Sequence, residues 1–77
     1  NKVKILIMSK KRIYIDFDDI INKFKDIAEM KDFLKNIYRN NEIYIFTTKD
    51  REKTYKWLIR YHLDDYIEDV TNTKPDA

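Results

Sequence analysis

The chain has 77 residues, 43% of them apolar and 39% charged, and sixteen Lys and Arg against fourteen Asp and Glu leave a formal charge of only +2. That is material for one small domain with a marginal core, and so even a mixture of charge gives no bulk electrostatic reason to expect a nucleic-acid partner. Cysteine is absent, which rules out disulfides and thiolate metal sites; no apolar run has the length of a membrane span and no signal-peptide pattern opens the chain, so no membrane partner and a cytoplasmic location are expected.

Residues 1–7 read as an N-terminal extension, with the apolar run at 3–7 a candidate edge strand, and a single α/β domain is expected over residues 8–77. Residues 13–16 (IYID) and 43–47 (IYIFT) are β-branched and aromatic runs without polar alternation, as suits a parallel sheet covered on both faces. Between them, residues 26–39 set Ile27, Met30, Leu34, Ile37 and Tyr38 at helical spacing, with Asp26 at the start and Lys35 and Arg39 near the end to suit the macrodipole. The chain has no glycine, so the pair Asn40-Asn41 is the expected place for a backbone turn at positive φ.

Asp50 is a candidate N-cap for a second helix over residues 51–61, with Tyr55, Leu58, Ile59 and His62 on its apolar stripe. Asp64-Asp65 reads as a turn before a third strand at 66–70, followed by the polar turn Thr71-Asn72-Thr73 and by Lys74-Pro75, where proline ends regular structure. The order βαβαβ implies a Rossmann-like parallel sheet with right-handed crossovers.

In such sheets ligands bind beyond the carboxyl ends of the strands. The residues expected there are Asp16 and Asp18 after the first strand, Thr47 and Thr48 after the second, and Lys74 after the third. Carboxylate, hydroxyl and ammonium groups on one edge suit phosphate chemistry with a divalent cation. Two carboxylates, several waters and phosphate oxygens make a usual Mg²⁺ site. A carboxylate such as Asp16 can attack phosphorus and form an aspartyl phosphate. Asp18, two residues on, can serve as general acid and base, while Thr47 and Lys74 hold the phosphoryl oxygens and offset their charge.

The segments DFDDI, IYIFTTKD and TNTKPDA together resemble the motifs of the haloacid dehalogenase-like (HAD) hydrolases, most closely the small capless type, over essentially residues 11–77. The resemblance implies that Asp16 is the nucleophile, Asp18 the acid/base and both Mg²⁺ ligands, and that Thr47 and Lys74 bind phosphate. It implies a hydrolase, a Mg²⁺-dependent phosphatase acting on a phosphomonoester, either a phosphorylated small molecule or a nucleotide, through an aspartyl-phosphate intermediate. Ile20 stands where that family carries Thr or Val, and the acid pair that follows a fourth strand in the family has no counterpart in residues 1–77, so the expected metal site lacks a ligand and the βαβαβ core is incomplete against the family pattern. Residues 21–25 leave no room for a cap domain.

An alternative of another class is a catalytically inactive HAD-derived interaction module or fragment, whose sheet is completed by a partner chain or a second copy. Taken singly, an Asp-x-Asp at a strand end is more often a turn or cap feature than a catalytic site. Asp19, Thr48 and Lys49 are explained by a helix-leading turn as well as by a site, His62 by a helix C-terminus, and Trp57 with the tyrosines by packing.

Overall fold

The computed structural model describes residues 11–73; the expectations for the segment 1–10, for Lys74 and for Pro75 lie outside them. The elements are strand β1 (Lys11–Asp16), helix α1 (Phe17–Lys23), helix α2 (Ile27–Tyr38), strand β2 (Asn41–Phe46), helix α3 (Arg51–Arg60), a 3₁₀ turn (Asp64–Tyr66) and strand β3 (Asp69–Thr71). The sheet is parallel in the order β1-β2-β3, with Asp16 beside Phe46 and Phe46 beside Thr71. The three carboxyl ends are therefore level.

Two successive right-handed crossovers that advance in the same direction put their helices on the same face of a sheet. The core agrees. Ile43, Ile45 and Val70 on one face pack with Phe17 and Ile20 of α1, Met30 and Leu34 of α2, Leu58 of α3 and Leu63. The opposite face carries Tyr14 and Tyr44, stacked with ring centroids 5.0 Å apart, and the buried Phe46. The expected helical cover on both faces is thus met on one face only among the described residues. Among these residues no helix is long and apolar enough to cross a membrane.

Helix α1 was not expected; residues 21–25 read as a connection. Its start is built by Asp16, whose side chain accepts from the amides of Asp18 and Asp19, and an acidic first turn suits the positive end of the helix dipole. Phe17 and Ile20, three apart, are its buried pair. Asp26 and Asp50 cap α2 and α3 in the same manner, accepting from Ala28 N and Lys53 N.

The face of α3 also differs from expectation. Thr54 and Leu58 are its buried residues, joined by the partly buried Trp57 and Tyr61, whereas Tyr55 and Ile59 are 44% and 43% exposed. The third strand starts later than expected, because residues 64–66 coil into the 3₁₀ turn, with Ile67 N donating to Asp64 O. Finally, the positive-φ residue among those described is His62, at φ 58°, not Asn40 or Asn41. The amide of His62 donates to Ile59 O and that of Leu63 to Leu58 O, the paired bonds of a Schellman C-cap, and the accompanying Leu58–Leu63 apolar contact lies in the core. Burial of Leu63 offsets the cost of about 1–2 kcal/mol that a non-glycine residue bears in the left-handed region. Asn41 opens β2 instead, its Nδ2 donating to Ile37 O.

Candidate functional site

The carboxyl ends of adjacent strands β1 and β2 bring Asp16 and Thr47 to one edge, and the two turns that follow bring in Asp18, Lys49 and Asn72. Asp16 closes β1 and caps α1 with no intervening loop. Among the described residues, its side chain accepts through Oδ1, from Asp18 N at 2.9 Å and Asp19 N at 3.3 Å. Asp18 is exposed on the first turn of α1 and pairs with Lys49 Nζ at 3.3 Å, which ties the β1–α1 junction to the β2–α3 turn. Both side chains are more than half exposed, so the link contributes little to stability.

Thr47 occupies a different environment. Its side of the turn is closed, with 3% of the residue exposed. Its Oγ1 accepts from Lys49 N at 3.0 Å and from the Thr54 hydroxyl at 3.3 Å, while its amide donates to Thr71 O at 2.9 Å and extends the β2–β3 ladder by one bond. In this arrangement the hydroxyl anchors the turn into α3. Asn72 completes the anchor from the far side of the sheet: Nδ2 donates to Thr47 O at 2.6 Å and to Lys49 O at 2.8 Å. Thr71 and Thr73 close the next turn on themselves, Thr73 N donating to Thr71 Oγ1 at 3.0 Å. Lys74, the phosphate-binding residue expected on that turn, lies outside the described residues.

Of the expected set, Asp16, Asp18 and Thr47 are therefore gathered at one edge. Lys49, explained in the sequence equally by a helix-leading turn, and Asn72, expected only as part of a polar turn, join them. Lys49 carried a readable signal, being the cation of the turn that follows a hydrophobic strand. Asn72 carried none, since its partners are 25 and 23 residues away.

Whether the donors suit Mg²⁺ follows from their chemistry. Asp16 and Asp18 are hard oxygen ligands, and Mg²⁺ commonly takes one or two carboxylates while keeping several waters. The pair fits that demand, although Oδ1 of Asp16 is engaged by two amides and Asp18 faces an ammonium. Among the described residues no group of three or more His, Cys, Asp or Glu is placed to share a metal. Comparison with known protein families, with curated proteins and with solved structures returned no match.

Proposed function

We propose that the edge formed by Asp16, Asp18, Thr47 and Lys49 is a phosphoryl-transfer site, and that the chain is a Mg²⁺-dependent phosphomonoester hydrolase of HAD-like kind. The observation that supports this most is the Asp18–Lys49 pair at 3.3 Å, which draws an acid of the β1 end and a cation of the β2 end together beside Asp16. Acid and ammonium then share one edge, with the buried Thr47 behind them as the anchor of the turn that carries Lys49.

In this reading an oxygen of Asp16 attacks phosphorus as the bond from phosphorus to the leaving oxygen breaks, and Asp18, protonated, delivers its proton to that oxygen. Asp18, now a carboxylate, takes a proton from water. The hydroxide oxygen bonds to phosphorus, the bond between Asp16 and phosphorus breaks, and inorganic phosphate leaves with the carboxylate of Asp16 restored. Two amides hold Oδ1 of Asp16, and in this reading Oδ2 is the attacking oxygen. Lys49, with Lys74, offsets the charge on the phosphoryl oxygens. Thr47 acts through its turn, positioning Lys49 and its amide. Asp16 and Asp18 would hold Mg²⁺, which when bound neutralises phosphate charge.

The test is thermal unfolding with Mg²⁺ and beryllofluoride, a mimic of an aspartyl phosphate, against Asp16→Asn. Asparagine caps a helix about as well as aspartate, so this variant removes the nucleophile and keeps the fold. The expected result is a raised midpoint for the parent chain, equivalent to about 2.7 kcal/mol at a hundredfold excess over Kd, and no shift for Asp16→Asn. An unshifted parent with a cooperative melt overturns the reading in favour of the inactive interaction module, a reading favoured by the capping duty of Asp16 and the closed hydroxyl of Thr47.

A further inference from the structure

Although the charge of the whole chain is nearly balanced, the fold sorts it locally. Lys53, Lys56 and Arg60 are exposed residues of α3. At 3.6 residues per turn they fall within an arc of about 60° and span about 10 Å along the axis. With Trp57 they line a shallow cleft of about 260 Å³. Lys49, just ahead of the Asp50 cap, continues the same row towards the Asp16 edge, where it meets Asp18. One cation per turn along a line suits a polyanion rather than a single anion.

Trp57 separates this row from the buried side of α3. Its ring meets Phe17 edge-on with centroids 5.3 Å apart, and it lies 4.8 Å from the ring of Tyr61. Phe17 directly follows Asp16, so the aromatic group is seated on the first residue of α1 and its position is set relative to the candidate site. Arg60 lies 5.8 Å from the Tyr61 ring. On α3 itself Glu52 pairs with Lys56 at 3.7 Å, with both side chains about three-quarters exposed, a weak, solvent-screened contact that a phosphate readily displaces. A positively charged line with an aromatic platform is the combination by which proteins hold single-stranded nucleic acid, the cations following the backbone and the ring taking a base.

We propose that this face of α3 binds a single-stranded nucleic acid, with Lys53, Lys56 and Arg60 on its phosphates and Trp57 stacking a base. On the phosphohydrolase reading above, the terminal phosphate of that strand is the phosphomonoester delivered to Asp16; the binding itself does not depend on that reading.

The experiment measures fluorescence anisotropy of a fluorescein-labelled oligothymidylate of about ten nucleotides without a terminal phosphate, together with emission of the chain's single tryptophan. Expected are saturable binding, quenching of Trp57, and a slope of log K against log salt of about −2 for three phosphate contacts on a single strand. The variant Lys53→Gln/Lys56→Gln/Arg60→Gln, which keeps side-chain bulk while removing charge, is expected to bind at least about tenfold more weakly with an unchanged melting midpoint. No binding, or binding unaffected in the folded triple variant, overturns the proposal. So does equal binding of polyglutamate with the same tryptophan quenching, which marks a surface for acidic protein. Since the probe has no phosphate for Asp16, a missing beryllofluoride shift with intact oligonucleotide binding removes the hydrolase and keeps this surface, and the converse removes this surface alone.

Discussion

The two strand-to-helix turns at the carboxyl edge are built on opposite plans. The β1–α1 junction has no loop: one partly buried side chain, Asp16, ends the strand and caps the helix, with the exposed Asp18 on the turn that follows. The β2–α3 turn is held from four directions, by Thr47, Thr54, Asn72 and the Asp50 cap, around a nearly inaccessible hydroxyl. The lightly held turn leaves its carboxylates available, and the heavily held one serves as the rigid reference against which they are placed. A site that needs both accessible acids and fixed geometry can divide those demands between neighbouring strands.

Substitutions can break this contrast. Thr47→Val keeps the shape of the side chain but leaves the Thr54 hydroxyl and the Lys49 amide without their acceptor, and is expected to cost about 1–3 kcal/mol, read as a lowered midpoint in urea. Asp16→Ala loses one cap and is expected to cost about 1 kcal/mol, while Asp16→Asn stays within a few tenths of the parent chain. Equal losses in both variants would show that charge, not capping, stabilises the junction. The smallest effect belongs to Lys49→Ala. Removing its exposed partner from Asp18 is expected to change stability by less than about 0.5 kcal/mol, and the difference should fade as salt is raised. A larger, salt-resistant loss would mean that the two turns are coupled through this pair.

Local signals were legible where one stretch of chain carries both the cause and its effect. The spacing of Met30 and Leu34 marks α2, and Asp26 and Asp50 are the caps that their positions ahead of apolar periods announce. The same kind of signal exists for α1, with Asp16 ahead of an acidic turn and Phe17 three residues from Ile20, but it overlaps the acid motif, so the same residues also suit chemistry. The face of α3 misled because Tyr55 and Ile59 are apolar by composition, whereas the side that meets the core is set by Thr54, which finds Thr47 seven residues back.

The sequence by itself determined the alternation of strands and helices, the cap residues and the placing of Asp16, Asp18 and Thr47 at strand ends, because these depend on neighbours within about a turn of helix or a strand. Only the tertiary structure decided that the helices share one face, that the hydroxyl of Thr47 is turned inward, that His62 takes the left-handed position and that Asn72 ties two turns together. Each of those outcomes depends on which distant groups the packed sheet brings within hydrogen-bond range or into the core, and the order of residues along the chain does not state those meetings.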